Sequence, residues 1–364
     1  MEILQIGFIG FGLIGGSIAK ALRAYRPQCH MIATSRSLSP LYQAQKDGVL
    51  DEVTDCVNEQ FSGCDIIFIC TPVVTITKYF ELLKPLIKSS CILTDVGSVK
   101  ESIYTAAKNA GLENNFIGGH PMAGSERIGF ANSKAGLLEN AYYILAPAPQ
   151  VPAAKIAEFQ GLVTSMGAIP LQVESQKHDY VTAAVSHLPH IVAAALVHLV
   201  QDHDDAQGLM KSIAAGGFKD ITRIASSSPV MWEQICMTNT ANISRLLQDY
   251  IDALGVVQKE LQEHDSASLY TFFDGARAYR DSFIDAGSGP IKKDYSIRLD
   301  IPDEAGSIAA VSTLLALNNI SIKNIGIVHN REAQEGVLRI EFYEEDSITK
   351  AIQLLNRRGY VTHI

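Results

Sequence analysis

The chain has 364 residues, of which 47% are apolar and 19% are charged, and its net charge is −9. This length predicts two or three domains, and the acidic balance argues against nucleic acid or a membrane surface as the main partner. The N-terminus has no basic stretch before an apolar segment, so we expect no secretory signal, and no apolar run reaches the roughly 20 residues that cross a bilayer. None of the six cysteines forms a C-x-x-C pair, which favours reduced thiols in a cytoplasmic protein.

Residues 1–170 alternate short apolar runs with segments of helical periodicity. The runs are typical of buried parallel strands and comprise residues 4–10, 30–34, 65–70 and 91–97. Amphipathic segments such as "ITKYFELLKPLIKS" lie between them. This alternation predicts an α/β Rossmann-like domain built on a doubly wound parallel sheet.

The remainder of the chain changes character twice. Residues 171–284 show only helical spacing, which predicts an all-α domain. Its helices carry more apolar residues than one buried face needs, so we expect a homodimer in which a second copy covers part of this surface. Residues 285–293 are rich in glycine and serine and indicate a linker. Residues 294–364 follow the order βαββαβ, which is typical of a small α+β domain.

The first strand runs into "GFGLIGGS", which contains the pattern G-x-G-x-x-G at Gly10, Gly12 and Gly15. Gly10 permits a tight turn, Gly12 lets a pyrophosphate approach the backbone, and Gly15 lets the helix pack closely on the strand. The helix that opens with Leu13 and Ile14 then directs free backbone N–H groups at the phosphates. Because the pattern links a strand to a helix in an α/β region, it favours a dinucleotide site over a purely structural turn.

The end of the second strand bears on the choice between NAD and NADP. An acidic side chain at this place binds the ribose 2′-hydroxyl of NAD, but here the chain has Thr34, Ser35 and Arg36. No carboxylate stands there to repel a 2′-phosphate, and Arg36 could pair with one, so the sequence leans towards NADP. The alternative is that Arg36 stacks on the adenine and accepts NAD as well. Thr71 and Pro72 end a later strand and are expected to line the same cleft.

One histidine lies in a run of small residues, "FIGGHPMAGSERIGF", at 116–130. Gly118 and Gly119 precede His120, and this composition suits neither a core strand nor a surface helix, so we interpret the stretch as an open loop. The segment "GGHPMAGSE", with "TDVGSVK", "VSHLPH" and "GGFKDITRIASSSPVMW", resembles the prephenate dehydrogenase family, which includes arogenate dehydrogenases. The resemblance covers residues 4–283, and the four motifs occur in the order found in the family.

The resemblance implies oxidative decarboxylation of prephenate to 4-hydroxyphenylpyruvate, with hydride transfer to NAD or NADP. His120 is then the acceptor of the proton from the 4-hydroxyl group, and a neutral imidazole suits this role because its pKa lies near the operating pH. Ser98 is implied to orient His120 and to contact substrate or nicotinamide. The alternative for Ser98 is an N-cap of the helix that follows it.

Arg223 is implied by the same resemblance to grip a carboxylate of the substrate. A planar guanidinium matches a carboxylate with two hydrogen bonds, which a lysine cannot do. Asp220 lies three residues earlier and is also assigned to the substrate site. It either pairs with Arg223 as a latch that opens on binding or forms an ordinary ion pair on one helical face.

The remaining implied substrate residues surround the same pocket. His190 is placed against the substrate, with His187 nearby. Trp232 either walls the pocket or packs in the core. Ser125 and Glu126 are expected in the polar shell of the pocket.

The spacing H-x-x-H of His187 and His190 is also compatible with a zinc site. No third ligand stands at an expected spacing, because His178, His198 and His203 are dispersed along the chain. We therefore expect no metal.

Residues 294–364 resemble an ACT domain, an amino-acid-sensing module, through "IPDEAGSIAAV" and the strand order. The resemblance implies an effector site at the turn that contains Asp303 and Gly306, and tyrosine, the end product of the pathway, is the natural effector. The alternative is a module that stabilises the dimer without a ligand.

Three other functions remain open. Arogenate as substrate differs from prephenate by an amino group in place of the side-chain keto group, and the sequence has no clear reporter of that difference. A 3-hydroxyacid dehydrogenase would need Lys219 as its acid and base, and "GGHPMAGSE" would then be unexplained. A non-catalytic sensor would bind NADP and tyrosine without turnover, against which the presence of His120, Ser98 and Arg223 argues.

Overall fold

The computed structural model describes residues 3–124, 127–285, 295–301, 304, 306–328 and 336–363. The chain forms two compact units, Met1–Ser266 and Ala267–Ile364. The first contains an eight-stranded sheet followed by helices, and the second contains a four-stranded sheet with helices of its own. The three kinds of architecture predicted from the sequence, a Rossmann-like sheet, a helical segment and a small α+β fold, are confirmed.

The large sheet consists of short strands that are buried on both faces over most of their length. Its strands are β1 (Gln5–Ile9), β2 (His30–Thr34), β3 (Glu52–Thr54), β4 (Ile66–Ile69), β5 (Ile92–Asp95), β6 (Phe116–Pro121), β7 (Tyr142–Pro147) and β8 (Ile169–Gln172). Their order is β3-β2-β1-β4-β5-β6-β7-β8, and only β6 and β7 pair antiparallel. Because β1 to β6 run in one direction, their carboxyl ends meet at one edge, which is where ligands bind in open α/β sheets.

Helices cover both faces of this sheet. They are α1 (Leu13–Tyr25), α2 (Ser39–Lys46), α3 (Val73–Leu83), α4 (Glu101–Asn109) and α5 (Ala153–Ser165). On one face α1, α2 and α5 pack over Phe8 and Phe68, whose stacked rings have centroids 5.4 Å apart. On the other face α3 and α4 pack over Ile67 and Ile69. Successive strand residues point to opposite faces, so each strand contributes to both cores.

The interpretation of the glycine-rich histidine stretch as an open loop is wrong for its first part. Phe116–Pro121 forms strand β6 in the middle of the sheet. An added Cβ at Gly119 would lie 2.4 Å from the backbone oxygen of Asp95. A larger residue would therefore push β6 away from β5, and the glycine is required by this close approach. The strand places His120 near the carboxyl edge of the sheet.

The rest of the first unit is helical. It contains α6 (Ser175–Thr182), α7 (Leu188–His203), α8 (Leu209–Ile213), α9 (Gly216–Thr222), α10 (Pro229–Thr238) and α11 (Thr240–Gln262). One turn of π-helix, Ala183–His187, joins α6 to α7. Large apolar side chains of these helices are exposed in the single chain, among them Met237 at 72% and Val256 at 57%. The surplus of apolar surface expected from the sequence is present.

The continuous helical run Ser175–His203 corrects the expectation that no segment is long enough to cross a membrane. It has 29 residues and a mean hydropathy of 1.6 in its most apolar part, so by length and composition alone it could span a bilayer. Polar residues interrupt its apolar letters, which is why the sequence shows no continuous run. Three of these, His178, Asp179 and His187, are buried by contacts within the same unit, so the run belongs to a folded domain.

The second unit contains α12 (Ser266–Asp285) and the small α+β fold. The elements of that fold are β9 (Ser296–Ile301), α13 (Ser307–Leu317), β10 (Ile322–Val328), β11 (Gly336–Phe342), α14 (Glu345–Arg357) and β12 (Thr362–His363). The strands form an antiparallel sheet in the order β10-β11-β9-β12. Apolar residues of the sheet, such as Leu299 and Ile340, share one core with Val311 of α13 and Leu355 of α14. The predicted order βαββαβ is confirmed.

We expect Gly119→Ala to lower the free energy of unfolding by about 1–3 kcal/mol, the usual cost of overpacking. The added Cβ would meet the backbone oxygen of Asp95 and the hydroxyl of Thr94 at 2.4 and 2.9 Å, and neither can move without disturbing β5. Urea unfolding followed by circular dichroism measures the change. Gly161→Ala on α5 is the control, because no atom lies within 4 Å of its added Cβ, and it should be neutral or stabilising. Equal stability of all three proteins would contradict the close approach.

Candidate active site

A cleft of about 920 Å³ opens at the carboxyl edge of the large sheet. The predicted cofactor residues that line it are Gly10, Gly12, Ser35, Arg36, Thr71 and Pro72. Leu13 and Ile14 form the first turn of α1 directly behind this loop. The cleft therefore lies at the ends of β1, β2 and β4, which is the position of the dinucleotide site in open α/β sheets.

The space around each glycine of the G-x-G-x-x-G loop indicates what that glycine contributes. Gly10 has a φ of +87°, and an added Cβ would lie 2.7 Å from the backbone oxygen of Cys70. An added Cβ at Gly15 would lie 2.9 Å from the backbone oxygen of Gly10 and would hold the helix away from the strand. Gly12 faces open space at the N-cap of α1, where no side chain caps the first N–H groups. These N–H groups and the helix dipole fit a pyrophosphate.

The ribose end of the cleft carries a carboxylate that sequence reasoning missed. Asp55 follows β3 and lines the cleft together with Ser35 and Arg36. The sequence interpretation considered the end of β2, where there is no acidic residue. Because β3 pairs with β2 in parallel, the carboxyl ends of the two strands are adjacent. The cleft thus offers both a cation and a carboxylate, which weakens the argument for NADP over NAD.

His120 is the first member of a hydrogen-bonded chain of polar side chains. Its Nδ1 lies 2.8 Å from Nε2 of His178, and Nδ1 of His178 lies 2.8 Å from Oδ1 of Asp179. His178 and Asp179 are each only 2% exposed. The carboxylate of Asp179 also accepts the backbone N–H groups of Lys100 and Glu101 at 2.7 and 2.9 Å. The chain therefore connects α6 with both β6 and the start of α4.

Sequence reasoning missed His178 and Asp179, because the contact between His178 and His120 spans 58 positions of the chain. The available signal was an adjacent pair of ionisable residues at the start of an otherwise apolar helix. The interpretation of Ser98 as an N-cap is wrong, since α4 begins at Glu101 and its first N–H groups are bonded by Asp179. Ser98 lies half-buried in the turn between β5 and α4.

A buried ion pair fixes the two segments on either side of this turn. Asp95 and Lys100 are 0% and 1% exposed and bond to each other. The carboxylate of Asp95 also accepts the backbone N–H groups of Gly97 at 2.7 Å and Gly119 at 3.1 Å. Burial lowers the pKa of Lys100, and the charge of Asp95 opposes that effect. One carboxylate thus holds both the turn that carries Ser98 and strand β6.

The pKa of His120 is held well below its usual value. Burial is the main cause, and the neighbouring His178, Lys100 and His187 add to it. His120 is therefore neutral at physiological pH, and the residue is partly exposed. A neutral, accessible imidazole can accept a proton from a ligand.

Trp232, His187 and His190 form an aromatic cluster beside this chain. The ring of His190 stacks on Trp232 with centroids 3.6 Å apart, and His187 meets Trp232 edge-on at 6.0 Å. The amide nitrogen of Asn239 donates to Nδ1 of His187 at 3.2 Å, so the ring proton of His187 is on Nε2. Nε2 of His187 and Nε1 of Trp232 are buried, and neither has a partner among the described residues. Two unpaired buried donors fit the oxygen atoms of a ligand.

Arg223 lines a second cavity of about 590 Å³. Asp220 lies on α9, which ends at Thr222, and Arg223 begins a tighter 3-10 turn. The next residue of that turn, Ile224, provides the backbone oxygen that bonds His190. Burial lowers the pKa of His190, the bond to Ile224 opposes this effect, and the nearby charge of Arg223 adds to the lowering. Arg223 therefore lies next to the aromatic cluster.

Three predicted residues, Ser125, Glu126 and Asp303, lie outside the residues that the structure describes. Gly306 is described and occupies the N-cap position of α13 with a φ of +99°, a conformation that favours glycine. Within the described ranges, no group of three histidine, cysteine, aspartate or glutamate side chains is placed to hold a metal ion.

Comparison with known proteins identifies the family. The family model described as "Prephenate dehydrogenase, nucleotide-binding domain" matches residues 18–170, and that described as "Prephenate dehydrogenase, dimerization domain" matches residues 174–274. The chain belongs to the prephenate dehydrogenase family. The prephenate dehydrogenase of Bacillus subtilis is 36% identical over 352 residues, which are 96% of this chain and 95% of that relative. The resemblance seen in the four sequence motifs is confirmed.

Solved structures of prephenate dehydrogenase relatives have the same fold. The A. aeolicus prephenate dehydrogenase in complex with hydroxyphenyl propionate and NAD+ superposes with a TM-score of 0.73 at 28% identity, and covers 78% of this chain and 99% of its own. An arogenate dehydrogenase of Synechocystis has a TM-score of 0.70 at 29% identity, and covers 77% of this chain and 100% of its own. These two solved structures, one named for each substrate, are thus about equally similar to this chain.

We expect the free energy of unfolding to fall as the pH drops from 7 to 5, with part of the fall caused by His187. Burial lowers the pKa of His187 to about 4, whereas the unfolded chain has a value of about 6.5. The unfolded state then binds a proton that the folded state does not bind, so stability is present above pH 6.5 and is lost below it. Between pH 6.5 and pH 5 this loss is at most about 2 kcal/mol, at 1.36 kcal/mol per pH unit.

Urea unfolding at each pH tests the contribution of His187. His187→Gln should flatten the dependence of the free energy of unfolding on pH. His198→Gln is the control, because His198 is exposed and its replacement should leave the slope unchanged. A slope for His187→Gln equal to that of the wild type would show that His187 titrates normally in the folded protein.

Proposed function

We propose that the protein catalyses the oxidative decarboxylation of prephenate to 4-hydroxyphenylpyruvate, with transfer of a hydride to NAD or NADP. The observation that carries the proposal is the neutral imidazole of His120, which has its Nδ1 bonded to His178 and stands at the edge of the sheet where the dinucleotide cleft opens. Membership of the prephenate dehydrogenase family supports the substrate class, and the uncapped start of α1 supports the nucleotide.

In this reaction the bound nicotinamide supplies the acceptor for the hydride that leaves C4 of the substrate. His120 accepts the proton of the 4-hydroxyl as the hydride leaves C4. The ring carboxylate then departs as carbon dioxide while the ring becomes aromatic, and the proton returns from His120 to the phenolate oxygen of the product. Ser98, in the turn held by Asp95, orients His120 and contacts the substrate. General-base help of this kind contributes roughly 10²–10⁴-fold to the rate.

The substrate is anionic, and the aromatic cluster and the second cavity provide its binding groups. Arg223 pairs with one carboxylate through a planar guanidinium. His190, Nε2 of His187 and Nε1 of Trp232 enclose the substrate on another side, supported by the absence of other partners for the latter two atoms among the described residues. Asp220, on α9, is assigned to the same substrate site. Arogenate is the second candidate substrate, supported by the similarity to the arogenate dehydrogenase of Synechocystis.

The domain organisation belongs to the same proposal. Residues 1–170 bind the dinucleotide, residues 171–284 bind substrate and form the homodimer, residues 285–293 link, and residues 294–364 regulate. The match of residues 174–274 to a dimerization domain and the exposed apolar side chains of α10 and α11 support the homodimer. We place the enzyme in the cytoplasm.

An ACT-like regulatory role is proposed for the C-terminal fold, with tyrosine as its effector at Asp303 and Gly306. The order βαββαβ and the left-handed Gly306 at the turn between β9 and α13 support this role. The alternative is that the fold stabilises the dimer without binding a ligand.

We expect His120→Asn to lower kcat by roughly 10²–10⁴-fold while prephenate binding is retained, because the proton acceptor is lost and the pocket is not. Absorbance of the reduced nicotinamide is measured for prephenate and arogenate, each with NAD and NADP. His203→Asn is the matched control, since His203 is exposed at the end of α7. Unchanged kcat in His120→Asn would exclude the general-base role. Turnover with arogenate alone would change the substrate, and no turnover by the folded wild type would favour a sensor.

We expect Arg36→Ala to raise the KM for NADP about tenfold or more, and to raise that for NAD less, because the guanidinium pairs with the 2′-phosphate. Asp55→Asn should act in the opposite sense and improve the use of NADP, since it removes the carboxylate at the same end of the cleft. Initial rates at varied NAD and NADP measure both effects. Equal changes in the two KM values for Arg36→Ala would favour stacking of Arg36 on the adenine.

A further inference from the structure

Asp179, His178 and His120 form a hydrogen-bonded chain that ends at the proposed base, His120, which is partly exposed. Both links are 2.8 Å long, and the two inner residues are almost completely buried. Two buried polar residues are costly unless each atom is paired in a defined way. The direction of each hydrogen bond in the chain is therefore informative.

The hydrogen bonds of Asp179 show which atom donates at that end of the chain. Its carboxylate accepts the backbone N–H groups of Lys100 and Glu101 at the start of α4, and these bonds stabilise the ionised form, which can only accept. Nδ1 of His178 must therefore donate to Asp179. Two backbone donors and the helix dipole already compensate the carboxylate, so it does not need an imidazolium beside it.

A neutral His178 with its proton on Nδ1 has a lone pair on Nε2. Nδ1 of His120 must then donate to that lone pair, and the remaining nitrogen of His120, Nε2, carries no proton. We propose that Asp179 and His178 are positioning residues that fix the tautomer of His120, so that its Nε2 is the atom that accepts the hydroxyl proton of the substrate. This inference rests on the proposed function for the identity of that proton's donor.

The same chain stabilises the product of the proton transfer. The O–H bond of the substrate breaks and an N–H bond forms at Nε2 of His120, which leaves an imidazolium whose Nδ1–H still donates to His178. The carboxylate of Asp179 faces this charge through the His178 ring. The other groups that face His120 are His187, from the π-helical turn, and Lys100, whose ammonium is neutralised by Asp95.

Nitrogen NMR of protein labelled with ¹⁵N-histidine tests the tautomers without any turnover. The chain has ten histidines, and the spectrum of His120→Asn identifies the signals of His120 by their loss. The expected pattern for the free wild type is a protonated Nδ1 and an unprotonated Nε2 on both His120 and His178. A proton on Nε2 of His120, or an imidazolium at His178, would overturn the proposal even if the enzyme turns over prephenate.

A pair of substitutions at His178 tests the consequence for the reaction. His178→Leu removes the acceptor for Nδ1 of His120, so kcat should fall by about 10²–10⁴-fold while the KM for prephenate changes little. His178→Gln offers an amide oxygen to His120 and an amide N–H to Asp179, and it should restore part of kcat. His203→Leu, at an exposed position, is the control.

These experiments test the positioning role of His178 and Asp179 separately from the proposed function. Wild-type kcat in His178→Leu would contradict the positioning role of His178. Equal losses of kcat in folded His178→Leu and His178→Gln would also contradict it, because a side chain that only fills space would be replaced no better by glutamine than by leucine. If His178→Leu does not fold, the tautomer measurement on the wild type still decides. Failure of the wild type to oxidise either substrate would refute the proposed function. The tautomers of His120 and His178 would still be decided by the NMR measurement alone.

Discussion

The arrangement of the site depends on one buried charge, the carboxylate of Asp95. It lies at the end of β5 with no exposed surface, and the equally buried ammonium of Lys100 balances it. The backbone N–H groups of Gly97 and Gly119 occupy further lone pairs. Removing one partner of such a pair costs about 3–5 kcal/mol, because the other charge is then left unpaired. The turn after β5 and strand β6, which come from different parts of the sequence, therefore keep a fixed spacing, and the proposed catalytic groups lie on these two segments.

The fold was largely predictable because most of its signals are local. Apolar runs and helical periodicity identified β1, β2, β4 and β5 and the helical segment, and the spacing of Gly10, Gly12 and Gly15 identified the dinucleotide loop. Strand β6 was missed for a physical reason. Its glycines are needed because the backbone of Asp95 approaches Gly119, and that approach is a tertiary contact that no local pattern encodes. For such a strand, composition alone predicts a loop.

The site residues that stand in sequence motifs were predictable. The site residues that are brought together only by tertiary contacts were not. His120 and Arg223 stand in motifs, and the structure places His120 near the carboxyl edge of the sheet and Arg223 in the second cavity. His178 and Asp179 reach their partners across 58 and 79 positions of the chain, so nothing near them in the sequence indicates the pairing. Asp55 was missed because it follows a different strand from the one that the motif rule inspects.

The π-helical turn Ala183–His187 has a consequence for how the two halves of the long helix face the site. A π turn holds one more residue than an α turn, and each residue of an α-helix advances the direction of its side chains by roughly 100°. The extra residue therefore rotates the side-chain directions of α7 relative to those of α6. His178 of α6 contacts His120 of β6, and His190 of α7 stacks on Trp232. A regular α-helix of the same sequence would aim these two histidines in directions that differ from the present ones by about a quarter of a turn. One irregular turn thus lets a single continuous helix contact both His120 and Trp232, and a tilt of that helix would move both contacts together.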